Sequence, residues 1–323
     1  VRFATYEHQH RTRVAVVDDD VLRPVPEASS LTGLIASAGS LAALLDLGAA
    51  ALERPCGPRV DEVRLLPPVE PVSLRDFVTF EEHVAGVRRS VEGAAGVPPQ
   101  WYATPTFYFG NPAAVIGAHD DVPVPPGSRV LDFELEVAAV IGRAGSDLTP
   151  EQARDHIVGY TVLNDWSARD LQSAEMTVGL GPCKGKDTAT TLGPFLVTAD
   201  ELEPYRDEEG FLRLELTAEV NQEVVGRDLL SHMAWTFEEM TAYASRGTRV
   251  RPGDVLGSGT CGNGGCLAEL WGVRGERTPP ALRPGDTVTL TVEGIGSVSN
   301  TVVPGAQPVP LPTGRRRSPQ RPR

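Results

Sequence analysis

Apolar and polar positions alternate over short stretches for most of the chain, and helical spacing is confined to a few segments. Thr12 to Val17 predicts a strand, Asp18-Asp19-Asp20 a turn and Val21 to Pro24 a return strand. Leu31 to Leu47 carries helical spacing, and Pro67-Pro68 marks a boundary, so residues 1–70 read as a small N-terminal domain. Val72 to Glu92 predicts a helix. Ser73 and Asp76 are spaced there as a capping box, with Asp in place of the usual Glu or Gln. On a regular helix Asp76 and His83 share a face, about 10 Å apart along the axis.

From residue 121 to 303 the pattern is strand-rich. Val130 to Ile141 predicts one strand, and Thr149-Pro150-Glu151-Gln152 a helix start with Thr as cap and Pro at the first position. Ile157 to Asn164 is the next strand, delivering Asp165 at its end. Ser167 and Asp170 are expected to cap a short helix that turns Arg169 and Gln172 to one side. Phe211 to Val225 predicts a hairpin around Asn221-Gln222, and Thr236 to Ser245 a helix. Arg283-Pro284-Gly285-Asp286 turns into Thr287 to Val292, and Glu293 to Gly296 into Ser297 to Val303. Residues 306–323, rich in Pro and Arg, are expected to form a disordered tail whose Arg315-Arg316-Arg317 run is solvated.

Composition narrows the classes. The 323 residues suffice for one large domain or a large and a small one. Thirty Lys and Arg against 43 Asp and Glu give a charge of −13, which argues against a nucleic-acid surface. No apolar stretch approaches a membrane span, and no basic-then-apolar leader is visible, so a cytoplasmic protein is expected. Four cysteines are too few for a disulfide framework. Cys261 and Cys266 lack the partners that would complete a zinc site, and His8 and His10, which would share a strand face, lack a third ligand. Gly257-x-Gly259-x-x-Gly262 has the spelling of a dinucleotide-binding turn, but lies in a Gly- and Cys-containing loop of a β-rich region without the βαβ setting.

Chemistry concentrates between Leu131 and Pro194. In a strand, Glu134 and Glu136 point to one face while Phe133, Leu135 and Val137 enter the core. Two like charges on one face repel unless neutralised, and a hard cation with a third oxygen from Asp165 would do so. The bland alternative is a pair of solvated surface glutamates.

Asp132 to Glu136, the run Asn164-Asp165-Trp166-Ser167-Ala168-Arg169-Asp170-Leu171-Gln172 and Gly181-Pro182-Cys183-Lys184-Gly185-Lys186 resemble the fumarylacetoacetate hydrolase family. The resemblance extends more thinly from about Ser73 to Val303. It implies an α+β, β-rich fold: the family's β-roll over residues 71–305 behind the small N-terminal domain, and a homodimer. It also implies a metal shell of Asp76, Glu134, Glu136 and Asp165 holding Mg²⁺, Mn²⁺ or Ca²⁺, with His83 as base paired to Glu269. Lys186 would be catalytic, and Tyr108, Arg169, Gln172 and Thr260 would contact substrate. The implied reaction is hydrolytic cleavage of a carbon–carbon bond in a β-diketone or acylpyruvate-type acid. The alternatives are decarboxylation, dehydration or isomerisation of a 2-oxo acid, or a non-catalytic metal-binding protein. Val78 and Met176 stand where the enzyme that names the family has tyrosines, which points to a substrate other than fumarylacetoacetate.

Overall fold

A computed structural model describes residues 1–316. An eleven-stranded mixed sheet forms the frame among these residues. Nine of its strands run across it in the order Val21–Pro24, Arg11–Asp18, Arg2–His8, Thr190–Thr198, Ile157–Asp165, Leu135–Ile141, Asp254–Gly257, Ser73–Phe77 and Phe107–Gly110. A five-stranded sheet, built around the antiparallel strands Glu215–Val220, Thr287–Val292 and Gly296–Val303, packs against it. The fold is α+β and sheet-rich, as expected.

The two faces of Leu135–Ile141 go to different cores. Leu135, Val137, Ala139 and Ile141 join Leu216, Val288, Leu290 and Val298 of the smaller sheet. Ala138 and Val140 instead meet Phe3, Val14, Val16, Leu31, Ile35 and Leu44 from the N-terminal region. That region is tied in by hydrogen bonding as well. Arg2 and Phe3 pair with Val197 and Leu196, so the sheet continues across the Pro67-Pro68 boundary. Among the described residues no helix is long and apolar enough to cross a membrane.

Several local expectations hold. Val21–Pro24 is a strand, Thr149 caps its helix with Gln152 completing a capping box, and the helix expected from Thr236 to Ser245 forms over Phe237–Ser245. Asn221 and Gln222 both adopt positive φ, 54° and 69°, giving a two-residue turn whose twist suits the flanking strands.

Others need correction. Val72–Glu92 is not one helix: Ser73–Phe77 is a strand and the helix begins at Glu81. Pairing on both sides, with Asp254–Gly257 and Phe107–Gly110, outweighs the local spacing, and no capping box forms at Ser73. Val130–Ile141 breaks after Asp132, because Leu131–Asp132 pairs with Ser167–Ala168 in a separate two-stranded ladder. That pairing also takes Ser167 out of a capping role; its hydroxyl donates to the Asp165 carbonyl, and Ala168 is the N-cap of Arg169–Met176. Leu31–Leu47 divides into Leu31–Ala38 and Leu41–Leu52 at Gly39, which adopts φ 67°, and Ser40 caps the second helix. His8 ends a strand while His10 lies in the turn at φ 61°, so the two share no strand face. The Gly-rich loop after Gly257 does lead into a helix, Leu267–Arg274, which the sequence reading passed over. Residues 306–316 are exposed without helix or strand, and 317–323 of the expected tail lie outside the described residues.

Phe3 is fully buried against the strands that carry the acidic residues. Phe3→Ala is expected to destabilise the whole chain by about 3–5 kcal/mol, the usual cost of truncating a buried Phe. Guanidinium unfolding monitored on the full chain measures it, and an unchanged midpoint would show that the N-terminal strand is not keyed into this core.

Candidate active site

The acidic residues occupy equivalent places on neighbouring strands. Leu74, Ala138, Leu163 and Val255 are buried in the core shared with the N-terminal region. Two positions along each strand, on the same face, lie Asp76, Glu136, Asp165 and Gly257. Gly257 pairs with Asp76 on one side, and Ala138 pairs with Gly257 on the other. A Cβ on Gly257 would lie 2.7 Å from Asp76 Oδ1 and 2.9 Å from Glu136 Oε2, so only glycine lets these carboxylates close over the strand. Glu134 precedes the strand, and its carbonyl accepts from the Asp165 N–H at 3.2 Å.

Asp76, Glu134, Glu136 and Asp165 are all buried, with carboxylate oxygens within 4.8 Å of one another. The solvated-glutamate alternative is thereby excluded. Asp76 Oδ1 has no hydrogen-bond partner although it is buried. Four convergent oxygens with one left orphaned fit a hard divalent cation. Burial raises the Asp76 carboxyl, and burial with the neighbouring carboxylates pushes Glu136 and Asp165 well above the usual range. Glu134 is the exception. Burial acts on it in the same direction, but Arg169, Lys186 and His83 outweigh it and hold the group below its ordinary value.

Cations and donors surround this set. Lys186 Nζ bonds Glu134 and, at 2.6 Å, Asp165 Oδ2. The Tyr108 hydroxyl donates to Asp165 and, at 3.1 Å, to Asp76. Gly259 N and the Thr260 hydroxyl donate to the two oxygens of Glu136 at 3.0 and 3.4 Å. Arg169 binds Asp132 through Nε at 2.9 Å, Glu134 at 2.7 Å and Gln172 Oε1 at 3.1 Å. Its guanidinium is thus engaged by protein groups on three sides.

Asp132 escaped the sequence reading as a site residue. It is fully buried and accepts from Leu267 N at 2.8 Å and Ala268 N at 3.0 Å, the first free donors of the Leu267–Arg274 helix. Arg169 therefore links the start of that helix to Glu134. The signal available in the sequence was an Asp one turn of strand before two glutamates; its partner lies 135 residues away.

His83 sits on Glu81–Val87, buried at 7% exposure. Nε2 lies 3.8 Å from Glu134 Oε1, and Nδ1 lies 3.7 Å from Cys266 Sγ. Burial lowers its pKa to about 4, with Arg169 and Lys186 adding to the effect against Glu134. The ring is therefore neutral at pH 7. Glu269 does not hydrogen-bond His83 here. Its Oε1 accepts from Gly264 N at 3.2 Å, and its Oε2 is buried without a partner.

A cavity of about 490 Å³ opens over these groups. Asp76, His83, Glu134, Glu136, Lys186, Arg169, Gln172, Tyr108 and Thr260 line its polar part; Val78, Val84, Val87, Pro98, Trp101 and Met176 line an apolar part. Tyr102 is not among the lining groups; its exposed hydroxyl donates to Glu81 at 2.6 Å.

The family model for the fumarylacetoacetate (FAA) hydrolase C-terminal domain matches residues 74–303. The chain belongs to the fumarylacetoacetate hydrolase family. A fumarylacetoacetase of Oryza sativa subsp. japonica is 29% identical over 314 residues, covering 79% of this chain and 73% of its own. The mitochondrial oxaloacetate tautomerase fahd2 of Xenopus laevis is 34% identical over 193 residues, 59% of this chain and 56% of its own. The solved fumarylacetoacetate hydrolase from psychrophilic Exiguobacterium antarcticum superposes with a TM-score of 0.73 at 25% identity, over 94% of this chain and 99% of that one. Members of this family are enzymes, and they include a hydrolase and a tautomerase.

Two outcomes follow from the geometry. Glu136→Ala removes one of four convergent ligands and is expected to abolish tight Mn²⁺ binding, measured by calorimetry on chelator-treated protein; retained affinity would place the cation elsewhere. Burial raises the Glu269 carboxyl to about 8, with Asp228 and Glu82 adding to the shift. The folded state thus keeps a proton that the unfolded state loses near its ordinary value. This contribution to stability is complete below about pH 4.3 and is lost as pH rises through about 8. Glu269→Gln should flatten that decline in denaturation midpoints recorded across the range, and an unaltered slope would mean that Glu269 is ionised when folded.

Proposed function

We propose that this protein is a divalent-metal-dependent hydrolase that cleaves a carbon–carbon bond in a β-diketone or acylpyruvate-type acid. The observation that carries the reading is the meeting of four buried carboxylates with a neutral His83 at the polar end of a cavity whose remainder is apolar. Asp76, Glu134, Glu136 and Asp165 would hold Mg²⁺, Mn²⁺ or Ca²⁺. The cation, when bound, supplies Lewis-acid stabilisation of negative charge on adjoining substrate oxygens.

The chain's own groups have distinct tasks in this reading. His83 takes a proton from water, so that the resulting hydroxide attacks the carbonyl distal to the acid end; the carbon–carbon bond beside that carbonyl then breaks, giving one carboxylic acid, and the carbon released as an enolate takes up a proton from His83. Lys186 uses two of its three donors on Glu134 and Asp165, which leaves one for a developing oxyanion. Gln172 gives its carbonyl oxygen to Arg169, so its amide N–H₂ is the donor it offers. Arg169, engaged by Asp132, Glu134 and Gln172, acts by positioning them. Tyr108 and Thr260 hold the carboxylates from the cavity side. Trp101, Val87 and Met176 cover the distal end of the substrate and keep water from it.

A second reading, tautomerisation or isomerisation of a 2-oxo acid, is favoured by one specific feature. Glu269 hydrogen-bonds Gly264 and not His83, so Nδ1 of the imidazole lacks a carboxylate partner to strengthen it for drawing a proton from water. Moving a proton between carbon and oxygen asks less of it. The relationship to an oxaloacetate tautomerase at 34% identity supports this alternative.

Mass spectrometry of products from a panel of acylpyruvates and 2-oxo acids, with and without Mg²⁺, separates the readings. Hydrolysis adds water and yields two fragments; tautomerisation conserves mass. His83→Ala is expected to lower turnover by about two to four orders of magnitude while cation binding persists. Turnover unaffected by that change would remove His83 from the chemistry, and no turnover on any substrate would favour a non-catalytic binding protein. Fumarylacetoacetate should be poor within the panel. Val78 and Met176 line the cavity without hydroxyls, and each buried substrate group left unpaired costs about 1–3 kcal/mol. If it outperforms simple acylpyruvates by about tenfold, or about 1.4 kcal/mol, that inference about Val78 and Met176 is wrong.

A further inference from the structure

Two residues at the start of the Leu267–Arg274 helix reach the helix that carries His83. Glu269 packs against its backbone: a Cβ on Gly86 would lie 2.6 Å from Glu269 Cγ. Cys266 meets the imidazole itself, with Sγ 3.7 Å from Nδ1. Cys266 is fully buried, is a free thiol, and is the N-cap of its helix, where its sulfur accepts from Glu269 N at 3.4 Å. A thiol in this place is held from both sides. Its backbone is set by the cap, with φ −151° and ψ 165°, and the helix start is anchored through Leu267 and Ala268 to Asp132.

We propose that the Cys266 thiol is the positioning partner of His83: Nδ1–H donates to Cys266 Sγ, which leaves the Nε2 lone pair as the basic site. The hydrogen bond made by one ring nitrogen decides which nitrogen carries the proton, and a sulfur that accepts fixes the proton on Nδ1. The opposite edge of the ring, with Nε2, lies beside Glu134 in a residue that lines the cavity. Burial, with Asp132 and Glu134 close by, keeps the thiol pKa well above its ordinary value, so the partner is a neutral thiol; the opposing arrangement, S–H donating to Nδ1 and Nε2–H facing Glu134, is the one the tautomer measurement decides against. The carboxylate that the family resemblance pairs with this histidine accepts from Gly264 N on one oxygen and makes no hydrogen bond to His83. The proposal rests on the reading of His83 as a base for its catalytic consequence, but its structural content does not depend on that reading.

The test uses the full chain labelled with ¹⁵N-histidine, in which long-range ¹H–¹⁵N spectra report the ring tautomer; His83→Ala assigns the signal. The unsubstituted protein is expected to show the Nδ1–H tautomer. Cys266→Ser, which keeps an acceptor and a favourable cap, should retain it, and Cys266→Ala should yield a mixture. Cys266→Gly, tolerated at N-caps, provides a second acceptor-free variant should the alanine change impair folding. On whichever substrate the panel identifies, the acceptor-free variants should lose about tenfold or more in kcat with little change in KM, and serine should restore most of it. An Nε2–H ring in the unsubstituted protein overturns the proposal, as does a tautomer that is unchanged in both acceptor-free variants or one that shifts in Glu269→Gln but not in them. If the tautomer shifts while kcat does not, Cys266 is upheld as the partner and the reading of His83 as a base falls instead.

Discussion

Four carboxylates on one buried sheet face are a liability that the surrounding structure answers at every point. Like charges a few ångströms apart in a poorly solvated setting repel strongly, and each loses its hydration as well. Lys186 and Arg169 approach from the neighbouring helical segment and bring Glu134 below its ordinary range. Tyr108 and the Gly259–Thr260 backbone and hydroxyl donors cover remaining lone pairs. What is still unanswered, the orphaned Asp76 Oδ1 and the raised Glu136 and Asp165 carboxyls, is what a divalent cation would satisfy.

This arrangement depends on the frame beneath it. Leu74, Ala138, Leu163 and Val255 fix the register of adjacent strands against the N-terminal core, and the next residues on that face then converge. A one-residue slip in any strand would turn its carboxylate to the opposite face. The N-terminal helices thus support the site without touching it. Asp132 performs a similar task from the other side, joining a helix start to Glu134 through Arg169.

The family to which this chain belongs includes a fumarylacetoacetase and an oxaloacetate tautomerase. Two features of this chain bear on its chemistry: an apolar cavity wall that includes Val78 and Met176, and the surroundings of His83, where Cys266 sulfur lies at Nδ1 and the Glu134 carboxylate at Nε2. In the proposed reading, the first would govern which distal group is tolerated, and the second how basic and how fixed the imidazole is.

The glutamate pair and Asp165 were legible in the sequence because a strand's period of two is a local property. The Asn221–Gln222 turn and the Thr149 cap were legible for the same reason: their chemistry closes within four residues. Ser73–Phe77 was misread as helix because its conformation is set by partners at 107–110 and 254–257, which no local window contains. The break after Asp132, the role of Asp132 itself and the contact of Cys266 with His83 have the same origin. The sequence alone determined which residues could bind a cation and, through its resemblance, the family to which they belong. Only the tertiary structure decided that four carboxylates would share one buried face and which group would meet the histidine. Those outcomes rest on distant backbone pairing and on the desolvation it imposes.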